Sequence, residues 1–200
     1  MKKGHVRPTL VALLVVASAA SASAQRMPDV RGLHLGAAFS ATSIKLDETE
    51  FSDDDRDGGI GLNLQAGYNF TRNLGLLLSV AGATVDADDA DDYGVGHVDL
   101  LGRASFPGRS ALVPYVELGI SGVAASYEPE LADKVELMGG GLTLGAGINY
   151  FFSRRAAFDL GLRFTGGEFD DAEIADREID VGDGVGFRTT RLNIGFAFYP

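Results

Sequence analysis

The chain has 200 residues, 27 of them glycine, and a formal net charge of −11 at pH 7. That length suits one domain, and the acidic balance argues against nucleic acid as a partner. Cysteine is absent, which excludes disulfides and thiolate metal sites.

In chain order, residues 1–24 read as a secretory signal peptide. Lys2, Lys3 and Arg7 form a basic start, Leu10 to Ala17 an apolar run, and Ala22-Ser23-Ala24 a small-residue cleavage site before Gln25. The apolar run is short for a membrane span. Cleavage removes three basic residues and no acidic one, taking the net charge from −11 to −14. No later stretch approaches the roughly 20 apolar residues of a spanning helix. A mature chain in a membrane must then cross it as a closed barrel.

Eight stretches alternate with a period of two, the signature of strands whose successive side chains face opposite ways. The first is Val30 to Ala41, with Leu33, Leu35, Ala37 and Phe39 on one face. The second, Gly59 to Phe70, sets Ile60, Leu62, Leu64 and Tyr68 against Gly61, Asn63, Gln65 and Gly67. The third, Leu74 to Thr84, carries Leu74, Leu76, Leu78 and Val80 on its bulky face, with Leu77 interrupting the small one. In the fourth, Gly94 to Phe106, Val98 and Leu100 oppose His97, Asp99, Leu101 and Arg103. The fifth, Ala111 to Ser126, opposes Val116, Leu118 and Ile120 to Tyr115, Glu117, Gly119 and Ser121. The sixth and seventh form a hairpin within Gly139 to Gly166, turning at Ser153-Arg154-Arg155. The eighth is Val185 to Tyr199, with Leu192, Ile194, Phe196 and Phe198 opposite Arg191, Asn193, Gly195 and Ala197.

One face is thus bulky and apolar, the other small and polar. Small polar residues suit the crowded interior of a narrow barrel, and the bulky face then meets lipid. The connections alternate. Thr71–Asn73, Pro107–Ser110 and Ser153–Arg155 are short, whereas Thr42–Gly58, Val85–Tyr93, Tyr127–Leu137 and Glu168–Gly184 are long. Of the 28 acidic residues, 24 lie in or beside those long connections. Short turns on one rim and long loops on the other give an eight-stranded antiparallel up-and-down transmembrane β-barrel over residues 25–200.

With its signal peptide, eight-strand meander and closing segment Leu192 to Phe198, the chain resembles the small bacterial outer-membrane β-barrel family of the OmpA transmembrane domain, OmpX and OmpW types. The resemblance implies an outer-membrane location, contact with lipid and lipopolysaccharide, and insertion by the barrel-insertion machinery. Members of that family usually end in an aromatic residue read by that machinery, whereas this chain ends Phe198-Tyr199-Pro200.

Six charges face inward by parity: Asp99, Glu117 and Asp159, with Arg103, Arg163 and Arg191. Buried charges must be paired and hydrogen-bonded, so these are expected to form a salt-bridge plug; the alternative is a narrow channel for small solutes lined by the same groups. In the first long loop, Asp53, Asp55 and Asp57 before Gly58 match the opening of a calcium loop, but Leu64 stands where its bidentate Glu belongs. The acidic loops read as a solvated, self-repelling rim that resists aggregation; the sharper alternative is weak Mg²⁺ or Ca²⁺ binding that bridges them to lipopolysaccharide, with no resident cofactor. Small barrels with lipid-A deacylase activity have a similar fold and use a Ser/His/acid group. Here His97 faces inward and only Ser79 on the neighbouring strand could approach it, so an enzyme is not expected. The fold-level rival, a soluble lipocalin-type barrel, would turn the bulky face inward.

Overall fold

The computed structural model describes residues 28, 30–47, 57–86, 93–127, 135–174 and 177–200, with backbone alone at 46–47, 86, 135, 170–174 and 177–184. Eight strands follow one another: β1 (Gly32–Asp47), β2 (Asp57–Asn69), β3 (Leu74–Asp86), β4 (Tyr93–Ser105), β5 (Leu112–Tyr127), β6 (Val135–Phe151), β7 (Ala156–Ile174) and β8 (Arg177–Phe198). Each pairs antiparallel with the next, and β8 returns to β1, closing the barrel. Closure satisfies the backbone of every strand, the condition for crossing hydrocarbon without an exposed edge.

The period-two pattern decides which way each side chain faces. Phe39, Ile60 and Leu142 are 73%, 72% and 66% exposed on the outer wall, whereas Asp99, Thr143 and Asn149 are fully buried inside. The outer band is therefore the lipid-facing surface, and the bulky-face-inward arrangement of a soluble barrel does not occur.

Two of the short turns are built alike. Thr71 Oγ1 accepts from the backbone amides of Asn73 (3.1 Å) and Leu74 (2.9 Å), and Ser153 Oγ accepts from those of Arg155 (3.3 Å) and Ala156 (3.0 Å). A hydroxyl capping its own turn explains why Thr and Ser stand at these positions. Gly32, where β1 begins, holds φ at +88°, a conformation that side-chain-bearing residues rarely adopt.

The strands outrun their sequence limits at the long-loop rim, and the fourth long connection is a correction. Glu168–Gly184 is expected as a loop, yet β7 continues to Ile174 and β8 starts at Arg177, with Asp171 paired to Asp180 and Glu173 to Glu178. Beyond the membrane a strand has no lipid face to fill, so an acidic segment can pair through its backbone without apolar alternation. A register shift between Phe169 and Asp171 marks where the extension departs from the barrel wall.

Two apolar clusters occupy the ends of the interior. At the short-turn end Val30, Val113, Phe151, Ala157 and Tyr199 pack together. At the long-loop end Ile44, Val85, Val95, Val123, Phe169 and Phe187 do so, with the Phe169 and Phe187 rings 4.6 Å apart. The buried charged side chains lie between these layers.

Candidate functional site

Strand register sets the middle of the interior. On one row, Arg103 of β4 is the partner of Glu117 on β5, Glu117 of Gly145 on β6, Gly145 of Arg163 on β7, and Arg163 of Arg191 on β8. Gly145 is the key to this row. A Cβ there would stand 2.9 Å from Glu117 Oε2 and 3.1 Å from Arg163 Cγ. Its missing side chain lets Glu117 reach over β6 to Arg163.

Glu117 consequently serves two cations. Arg103 Nε and Nη2 both donate to its Oε1, at 2.8 and 2.6 Å, while Arg163 Nε donates to its Oε2 at 2.8 Å. The Arg103 guanidinium also lies 4.1 Å over the Tyr115 ring. Asp99, fully buried, takes a two-pronged contact from Arg191: Nη1 to Oδ2 at 2.8 Å and Nη2 to Oδ1 at 2.9 Å. Arg163 Nη1 reaches the same Oδ2 at 3.5 Å. Asp99 thus supplies negative charge to two arginines that face each other across β7 and β8, a juxtaposition of like charges that would otherwise destabilise the pair.

Asp159 is held differently. Its Oδ1 accepts from the Tyr115 hydroxyl at 2.8 Å and its Oδ2 from Gln65 Nε2 at 3.2 Å. Gln65 turns its other end to the cations, accepting from Arg163 Nη2 at 3.2 Å and Arg103 Nη2 at 3.4 Å. All six charges named from the sequence are therefore buried, and hydrogen bonds join them into one network through Gln65 and Tyr115. Neutral members complete it. Ser79 receives Arg163 Nη1 at 2.8 Å and donates to Asn63. Ser121 donates to Asp99, and Thr165 accepts from Arg191. Gln65, Ser79, Tyr115, Ser121 and Thr165 share the inward parity of the charges; that parity was the available signal for them.

The other sequence candidates are not brought together. Asp53 and Asp55 lie outside the described residues. Asp57 opens β2, and its Oδ2 accepts from the Tyr93 hydroxyl at 2.8 Å. Among the described residues no group of three or more potential metal ligands forms. His97 is buried with neither ring nitrogen hydrogen-bonded. Ser79, engaged by Asn63 and Arg163, does not make a nucleophile–base pair with it.

Residues 9–198 match the family model described as outer membrane protein beta-barrel domain. The chain belongs to that outer-membrane β-barrel family. Its place is the bacterial outer membrane, as the lipid-facing wall requires. Solved outer-membrane barrels share the fold. Neisserial surface protein A is 15% identical with a TM-score of 0.65, the match covering 84% of this chain and 97% of that one. OprG of Pseudomonas aeruginosa is 20% identical with a TM-score of 0.57, over 87% and 98%. Ail, the attachment invasion locus protein of Yersinia pestis, is 17% identical with a TM-score of 0.52, over 84% and 100%. No match was found among curated protein sequences.

Proposed function

We propose that this outer-membrane β-barrel is a sealed structural element that displays acidic connections at the cell surface. Its interior is plugged by Asp99, Arg103, Glu117, Asp159, Arg163 and Arg191. One observation carries the reading: the charged network lies between two apolar layers, Phe169 with Phe187 at the long-loop end and Phe151 with Tyr199 at the other. A hydrated ion or small polar solute would have to cross both layers and break paired charges between them, each step unfavourable. The surface role rests on charge: most of the acidic residues gather at the long-loop rim. There they favour weak Mg²⁺ or Ca²⁺ binding that bridges to lipopolysaccharide, since hard cations prefer carboxylate oxygen.

The same reading has residues 1–24 removed as a signal peptide and the barrel handed to the insertion machinery. It assigns no catalytic role.

Conductance of the refolded protein in planar bilayers tests the plug. The wild type should be silent. Phe169→Ala with Phe187→Ala opens the long-loop layer, leaving Ile44, Val85, Val95 and Val123, and adding Arg163→Ala loosens the network beneath it; discrete steps are expected in the triple variant. Regular steps from correctly folded wild type would replace this reading with the narrow-channel one.

A further inference from the structure

We infer that the outer wall formed by β1, β7 and β8 holds a site for the phosphate of an outer-leaflet glycolipid. Along β1 the outward residues run Phe39, Ala41, Ser43, Lys45, and along β8 they run Ile194, Leu192, Thr190, Arg188. Both strands therefore change from apolar to hydroxyl to cation at the same level, because Ser43 pairs with Thr190 and Lys45 with Arg188. On the far side of β8, Phe164 pairs with Thr190 and Gly166 with Arg188.

These side chains line a cleft of ≈ 560 Å³. A Cβ on Gly166 would meet no atom within 4 Å, so the floor of the cleft is open. A second groove of ≈ 520 Å³ continues from Gly166 and Arg188 towards Gly140, bordered by Glu168. Both cations also interact within the protein. A headgroup would join those contacts rather than replace them.

The position decides the ligand. Cations on a lipid-facing wall are costly within hydrocarbon and favourable at headgroup depth. This pair sits just beyond the apolar band, at the rim carrying the long loops, which faces the outer leaflet. Arg188 offers a planar fork and Lys45 a point charge, the two modes by which phosphate is held. The hydroxyls of Ser43 and Thr190 supply further donors. Acyl chains would lie below, along Phe164, Leu192 and Phe39. The surrounding rim is acidic, so two directly opposed cations with hydroxyls in a concavity mark the place where an anion is favoured.

The site rests on the membrane orientation of the barrel and is independent of the plug; a conducting lumen would leave it unchanged. The test is native mass spectrometry of the detergent-solubilised full-length barrel, titrated with diphosphoryl lipid A. The expected result is one retained lipid per barrel, lost about fivefold for each cation removed in Lys45→Ala and Arg188→Ala. Gly166→Leu, which keeps both charges and fills the floor, should weaken retention as well, and it serves if the double charge variant fails to fold. Heat-modifiable gel mobility establishes folding of each variant. Equal retention by wild type and variants, equal retention of dephosphorylated lipid A, or binding of inorganic phosphate without the lipid would each overturn the assignment.

Discussion

Removing the carboxylate of Glu117 is the most direct challenge to the interior network. Glu117→Ala deletes the acceptor for Arg103 Nε and Nη2 and for Arg163 Nε, all within 2.8 Å. Gln65 Oε1 remains to both arginines at 3.2 and 3.4 Å, and Ser79 Oγ to Arg163 at 2.8 Å. None of these carries a negative charge. Breaking a buried pair by deleting one partner costs about 3–5 kcal/mol. Arg103 loses its paired carboxylate, while Arg163 keeps only the 3.5 Å contact with Asp99 that it shares with Arg191, so the upper part of that range is expected, about 4–5 kcal/mol. Glu117→Gln keeps the volume and one acceptor and should lose roughly half as much. Reversible urea unfolding in detergent micelles, followed by tryptophan-free circular dichroism, measures both. A double-mutant cycle with Arg103→Met should show coupling of at least about 1 kcal/mol, because the two residues touch. A Glu117→Ala barrel within about 1 kcal/mol of wild type would refute the view that this carboxylate organises the interior.

Other perturbations probe other parts of the same structure. Gly147→Ala places a Cβ against the Tyr115 ring and hydroxyl and 2.5 Å from Leu160 O; overpacking of this kind should cost about 1–3 kcal/mol in the same unfolding assay, and Tyr115→Phe, which removes the hydroxyl but leaves the ring and Leu160 O in place, should relieve it only in part. Phe39→Arg, at the most exposed aromatic of the outer wall, should cost about 2–4 kcal/mol if it lies near the bilayer midplane, read as a shift in the folding midpoint in phospholipid vesicles. Terminal sequencing of protein isolated from outer membranes should begin at Gln25; a chain beginning at Met1 would remove the signal-peptide reading.

The barrel was legible in the sequence because lipid and lumen impose opposite demands on alternate residues. Phe39 and Leu142 could only face out, and Asp99 and Glu117 could only face in. Parity assigns a face but not a height. Arg103 opposite Glu117 follows from the register of one hairpin, whereas Arg191 with Asp99 joins residues 92 apart in sequence and depends on how far every intervening strand is staggered. For the same reason parity marks Gln65 and Tyr115 as inward residues but not as the links to Asp159. The extension of β7 and β8 is not legible for a different reason: past the bilayer, alternation is no longer required, and Asp171 or Glu178 in a strand looks like Asp or Glu in a loop. The apolar layer of Ile44, Val85 and Phe187 is hidden because Ile44 and Val85 lie beyond the sequence limits of the first and third strands and Phe187 stands near the start of the eighth.

The interior also bears on assembly. The acids Asp99 and Glu117 lie on β4 and β5 with Arg103 as their one early cation, while Arg163 and Arg191 arrive on β7 and β8. A partly assembled sheet lacking the last strand would therefore have an open edge on each side and a carboxylate, Asp99, without its main counter-ion. The strand that completes the backbone ring is the same one that neutralises the centre. Geometric closure and electrical balance thus fall on a single event, which disfavours a stable intermediate of seven strands.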